Sequence, residues 1–172
     1  MAAAAFLLLA AAWLFGYYRS GADIEANFNK VFPQADQFVR SGQFWEAYQV
    51  QEGEDRSLLG YLGTGTAPSY GGPLQVITAV DPEGKIIGTM VIDHRDTPSF
   101  FHNVAASGFL EQLLDKSYQD PFQDTQDIDA VTGATITSMA ITRAAQDVAV
   151  RIAGSELSKT VQTEKEPIQF GI

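Results

Sequence analysis

The residues best suited to chemistry are gathered in one short run, Asp129-Ala-Val-Thr132-Gly133-Ala134-Thr135-Ile-Thr137-Ser138. It reads as a turn crowded with hydroxyls that enters a helix. Thr137 or Ser138 is placed to cap that helix, whose free N–H groups and dipole favour an anion. Gly133 allows a positive φ or a close backbone approach, and the small Ala134 leaves room beside Thr135. The run is therefore a candidate phosphate seat with a hydroxyl aimed into it. Taken alone, the Thr-Gly-Ala-Thr tetrapeptide also reads as an ordinary helix N-cap.

Other chemistries find less support. The chain has no cysteine and two histidines. Thiolate zinc sites, iron–sulfur clusters, disulfides and Cys nucleophiles are thereby excluded, and redox chemistry would need an organic cofactor. Eleven Lys and Arg stand against 21 Asp and Glu, a net charge of −10, so a row of phosphates could not be neutralised and nucleic acid is not expected as a partner. Gly63-Thr-Gly65 lacks the third glycine and the following helix of a dinucleotide fingerprint. Neither His94 nor His102 has an orienting partner in the sequence. The acid pairs Asp120/Asp124 and Asp127/Asp129 fit a solvated loop better than a cation site, and no metal ligands are assigned.

The elements that must position the hydroxyl run can be read in outline. With 172 residues, 45% of them apolar, the chain can bury one ordinary core. Residues 24–40 show helical spacing with a break at Pro33. Residues 44–50 and 58–62 read as strands, and 63–73 as loop, punctuated by glycine and proline. Two β-branched runs, 74–80 and 85–92, flank Asp81-Pro82-Glu83-Gly84. Proline second and glycine last make a type I turn, so these runs form a hairpin, expected at the centre of the sheet. A loop from His94 to Phe101 leads into a helix over 103–114, then an irregular acidic stretch, then an amphipathic helix over 138–152.

The ends differ from the middle. Residues 2–18 carry no charge and place Trp13, Tyr17 and Tyr18 toward one end. As a helix this segment rises about 26 Å, long enough to span lipid with an aromatic belt. An uncleaved transmembrane anchor is the first reading, a cleaved signal peptide the second, and a buried soluble helix, apolar on every face, the third. The organisation expected is an anchor over 1–20, a domain over 21–156 and a polar tail over 157–172.

The spacing Asp129-x-x-Thr132-Gly133-Ala134-Thr135 resembles the flavinylation motif of the bacterial FMN-binding domain family. Tyr70-Gly71-Gly72-Pro73-Leu74, Asp81-x-x-Gly84-Lys85-Ile86 and His94-x-x-Thr97-Pro98 resemble the same family's pattern in the same order. The family includes the G subunit of the Rnf complex, the C subunit of the sodium-pumping NADH:quinone reductase and the FMN domain of the nitrous-oxide-reduction membrane flavoprotein. The resemblance implies an α+β fold, a twisted and largely antiparallel sheet with packed helices. It implies FMN joined to Thr135 through a phosphoester by a flavin transferase, with Asp129 as the motif's acid and Thr132 and Gly133 as its turn. Tyr70, Pro98, Phe100 and Phe101 are the candidates to stack on the isoalloxazine ring. Where family members have a Gly-rich stretch after Thr-Pro, this chain has Ser99-Phe100-Phe101.

The expected function is a membrane-anchored electron carrier that relays electrons between membrane redox partners. It would be a redox subunit of a larger complex rather than a stand-alone enzyme, held to lipid by residues 2–18. The family's chemistry implies a domain on the periplasmic side of the inner membrane. A tethered sensor or binding module without covalent flavin is the alternative, and a small flavin reductase with its own substrate is a third.

Overall fold

The computed structural model describes residues 24–51 and 55–158. Five strands pair antiparallel in chain order: β1 (Gln37–Ser41), β2 (Phe44–Val50), β3 (Arg56–Pro68), β4 (Pro73–Val80) and β5 (Ile86–Asp93). Helix α1 (Phe28–Val31) precedes them. After β5 come α2 (Pro98–Ala106), a 3-10 helix (Phe109–Leu113) and α3 (Thr135–Ile152), which runs on into a π-helical turn (Ala153–Leu157). The architecture is α+β, as expected.

Alternation along the strands builds two cores. Leu74, Val76 and Val80 of β4 face α3, where Ile141, Ala144, Ala145, Val148 and Ile152 form the apolar stripe. Ile77 and Ala79 point the other way, into a cluster of Phe28, Phe32, Trp45 and Leu62. Because both faces are covered, β4 reads as a nearly continuous apolar run rather than an alternating one. The aromatic part of the second core is tightly knit, with Phe28 5.2 Å from Phe38 and 5.0 Å from Trp45 between ring centroids.

The Asp81–Gly84 turn forms as read: the Gly84 N–H donates to the Asp81 carbonyl at 3.1 Å, and Gly84 has a φ of 87°. Its hairpin, however, is not central. β3 is the middle strand and β5 an edge, with Lys85 bridged to Ser117. The run read as loop over 63–73 is strand as far as Pro68. Its glycines are contact points for α3. A Cβ on Gly65 would strike the Ala144 carbonyl oxygen, and one on Gly63 would lie 2.8 Å from a Val148 methyl. The helix read over 24–40 is cut to α1, and Phe38 belongs to β1, an edge strand paired with β2. The stretch read as loop up to Phe101 is already helical from Pro98, while the helix expected over 103–114 is broken at Gly108, whose φ is 72°.

In the acidic loop Asp127 accepts hydrogen bonds from Lys116 Nζ at 3.0 Å and from the N–H groups of Phe122 and Gln123 at 3.2 and 2.8 Å. Asp120 accepts the Ser117 N–H at 2.8 Å. These carboxylates hold the loop together, and among the described residues no group of His, Asp and Glu is arranged to hold a metal ion. No helix among the described residues is long and apolar enough to cross a membrane. The anchor expected over 1–20 lies outside the described residues, as does the tail expected over 157–172 apart from its first two residues, of which Leu157 ends the π-helical turn.

Candidate functional site

The hydroxyl run folds into a tight turn and the first turn of α3. The Ala134 N–H donates to the Val131 carbonyl at 2.9 Å, with Gly133 between them at a φ of 80°. That conformation suits glycine, and a Cβ there would meet nothing within 4 Å, so open space lies beside the turn. Upstream, the Gln112 amide brackets Asp129, accepting its N–H at 2.8 Å and donating to its carbonyl at 3.2 Å. Asp124 accepts the Ala130 N–H at 3.0 Å. Asp129 is therefore fixed through its backbone, with its side chain exposed and away from the cleft described next.

Helix α3 begins at Thr135, three residues ahead of the expected start, and neither Thr137 nor Ser138 is its N-cap. Ala134 is, and it carries no capping oxygen. Ser138 Oγ instead accepts the Val131 N–H at 3.1 Å and donates to the Ala134 carbonyl at 3.0 Å, tying the turn to the helix. No side chain caps the first turn. Its leading N–H groups lack intrahelical acceptors by the geometry of any α-helix, so they face outward with the positive end of the dipole. Thr135 stands there exposed, at the first helical position.

A cleft of about 260 Å³ opens at this helix end, lined by residues 133–137 together with Tyr70 and Phe100. Tyr70 sits on the tight turn between β3 and β4 and is 61% exposed. It meets Phe100 edge to face with centroids 5.3 Å apart. Pro98 opens α2 and so brings Phe100 to the cleft. The structure does not bring every expected ring neighbour together. Phe101 stacks on His94 at 3.8 Å and lines a separate apolar cavity of about 110 Å³ with Met90, Val104 and Ile141. Pro98 and Thr132 are exposed and also lie outside the cleft lining.

One buried carboxylate stands behind this arrangement, and the sequence reading did not single it out. Asp96, 4% exposed, accepts hydrogen bonds from Ser69 Oγ, from the Gly71 N–H at 2.7 Å and from Thr137 Oγ1 at 2.6 Å. Burial pushes its carboxyl pKa up. The Ser69 and Thr137 hydroxyls, the Gly71 N–H and nearby His94 outweigh that and hold it below the usual carboxylate range. Gly71 is required for this contact, because a Cβ would collide with the Arg95 carbonyl oxygen and lie 2.9 Å from the Asp96 Cα. His94 Nδ1 is buried with no hydrogen-bond partner among the described residues. Asp96 lay unread inside the His94-x-x-Thr97-Pro98 spacing; the paired Gly71-Gly72 was the one local hint of a close backbone approach.

The site's residues suit a phosphorylated aromatic ligand: an uncapped helix end for an anion, an exposed hydroxyl beside it and two aromatic side chains on the facing wall. The pattern of the FMN-binding domain matches residues 69–150. Over 123 residues the chain is 29% identical to the G subunit of the proton-translocating ferredoxin:NAD(+) oxidoreductase complex of Clostridium ljungdahlii, covering 69% of this chain and 65% of that protein. Over 95 residues it is 33% identical to the G subunit of the Na(+)-translocating ferredoxin:NAD(+) oxidoreductase complex of Acetobacterium woodii, covering 49% of this chain and 45% of the relative. The chain thus spans less than two thirds of these curated relatives. The crystal structure of Shewanella oneidensis NqrC superposes with a TM-score of 0.48 at 17% identity, over 66% of this chain and 65% of that one. The turn, the cleft lining and α3 as far as Val150 all fall inside residues 69–150, the stretch that matches the FMN-binding domain.

Proposed function

We propose that this protein is an electron-transfer flavoprotein that carries FMN covalently on Thr135 and works as one component of a membrane redox complex. The observation that carries the reading is the exposed Thr135 hydroxyl at the uncapped start of α3, on the lining of a cleft walled by Tyr70 and Phe100. Relatives whose names describe components of ferredoxin:NAD(+) oxidoreductase complexes support an electron-transfer role.

Each residue has a task in this reading. Outward N–H groups of the first turn of α3 hold the phosphate. Gly133 lets the backbone lie close to it. Thr135 Oγ1 would become the ester oxygen: a flavin transferase would join it to the FMN phosphate of a flavin dinucleotide, breaking the phosphoanhydride bond and releasing a nucleoside monophosphate together with the hydroxyl proton. Tyr70 and Phe100 cover the ring and keep water from part of it. Pro98 shapes the second wall through the start of α2, and Phe101 backs that wall against His94. Asp129, Thr132 and Ala134 form the motif that presents Thr135 to the transferase. Bound FMN supplies the capacity to accept and release one or two electrons, which no side chain here provides. A covalent link would keep the flavin in place where free FMN is scarce.

Residues 2–18 serve as the lipid anchor in this proposal, with the domain on the periplasmic side and its electron partners in the same membrane. The division into anchor (1–20), FMN-binding domain (21–156) and tail (157–172) belongs to the same proposal. Intact-mass spectrometry of protein from its native membrane, beside Thr135→Ala, tests the central claim. The expected result is an increment of FMN minus water in the wild type and none in the variant. An unmodified wild-type chain would overturn it and leave non-covalent binding or sensing as the account.

A further inference from the structure

Three of the cleft's surroundings meet at one atom group that does not line the cleft. Ser69 and Gly71 flank Tyr70 on the β3–β4 turn, and both donate to Asp96. Thr137, two residues after Thr135 in α3, donates to the same carboxylate at 2.6 Å. The three donors are 25 to 41 residues from Asp96 in sequence, so no local turn would bring them together. The turn itself is narrow: the Ser69 N–H donates to the Gly72 carbonyl at 2.8 Å. Tyr70 is thus held on both sides by residues that the carboxylate fixes, while the residue itself is 61% exposed and its ring meets Phe100 edge to face.

Charge matters to this clamp. A buried carboxylate has to be matched by donors, and hydrogen bonds to an ionised acceptor are roughly twice as strong as neutral ones. An amide at the same position would present one acceptor and one donor group to three donors. We infer that Asp96 is a positioning residue that sets Tyr70 on one wall of the cleft and Thr135 on the other in a fixed relation before any flavin is attached. This rests on the flavin reading above, since that reading gives the two walls their common ligand. The carboxylate also stands one hydrogen bond behind Thr137, so its negative charge acts on whatever occupies the cleft.

The test uses the full chain without flavin and follows amide hydrogen exchange in wild type, Thr137→Val and Thr137→Ser. Thr137→Val keeps the shape of the side chain and removes the hydroxyl, on the helix side. The expected result is faster exchange of the Gly71 amide across the cleft, by about tenfold or more, with Thr137→Ser near wild type. A change confined to α3, or a serine variant that behaves like valine, would overturn the clamp. A second reading uses Asp96→Asn and Thr137→Ser after co-expression with a flavin transferase. Removing the negative charge is expected to move the flavin midpoint potential positive in Asp96→Asn, with Thr137→Ser unchanged; an unmoved potential in the folded Asp96→Asn protein would overturn the electrostatic part. If Asp96→Asn does not fold, the Thr137 pair decides the clamp. If wild type takes up no flavin, the proposed function fails, and exchange in the flavin-free chain still decides the role of Asp96.

Discussion

Asp96 and Asp127 are the same side chain under similar influences, yet they organise the molecule on different scales. Burial pushes both carboxyls up, and donated hydrogen bonds pull both below the usual range. Asp127 draws its donors from 4 to 11 residues away and closes one loop. Asp96 draws its donors from 25 to 41 residues away and joins a strand turn to a helix across the cleft. Sequence separation between a carboxylate and its donors therefore distinguishes a brace within a loop from a joint between elements. Acidity alone does not.

The comparison breaks most sharply at Gly71. Gly71→Ala drives a methyl into the Arg95 backbone, which cannot yield as a side-chain tip would. A loss of about 3 kcal/mol or more is expected in denaturant unfolding, together with loss of the ordered turn around Tyr70. Gly133→Ala is the control: its Cβ meets nothing, and the positive φ alone should cost about 1–2 kcal/mol. Next in size is Asp96→Asn, expected to cost about 2–3 kcal/mol because a buried, triply hydrogen-bonded charge is replaced by a poorly matched amide. Asp127→Asn should cost about 1–2 kcal/mol, with increased exchange limited to the acidic loop. Equal losses with the same exchange pattern would erase the distinction between joint and brace.

The smallest expected effect is on pH dependence. Both carboxyls are depressed in the folded chain, so each contributes stability that is complete above its unfolded pKa of about 3.9. That stability is lost as pH falls through the folded value. Melting temperature should therefore hold from pH 7 to about 5 and decline below about 4. Either Asp→Asn variant should start lower at neutral pH and decline less steeply; a variant curve parallel to wild type would contradict the assigned shift.

Legibility followed the range of the interactions. The β4–β5 hairpin could be read because its two signals, β-branched runs and Asp-Pro-Glu-Gly, act within a few residues. The second half of β3 could not. Gly63 and Gly65 look like loop punctuation, and only the approach of α3 shows them to be clearance for a helix. Thr137 and Ser138 have the composition of caps, yet their oxygens are committed to Asp96 and to the Val131–Ala134 turn. β1 was hidden by helical spacing, because a five-residue edge strand carries little pattern of its own. Within the candidate site, the hydroxyl run, Tyr70 and Phe100 were visible as residue types. Asp96 was not, since nothing local marks one aspartate as buried.

The meander order of the sheet has a consequence for how the chain assembles. Each strand pairs with its neighbour in sequence, so the sheet can grow through short loop closures, which favours rapid folding. Joining α3 to the rest is a different matter. Arg151 reaches back 87 residues to the Thr64 carbonyl, and Thr137 reaches back 41 to Asp96. A chain folded only as far as β5 could complete its pleated sheet and yet have no cleft. Any enzyme that recognises the seat around Thr135 would then act only on finished molecules, and cofactor loading would serve as a check on completed folding.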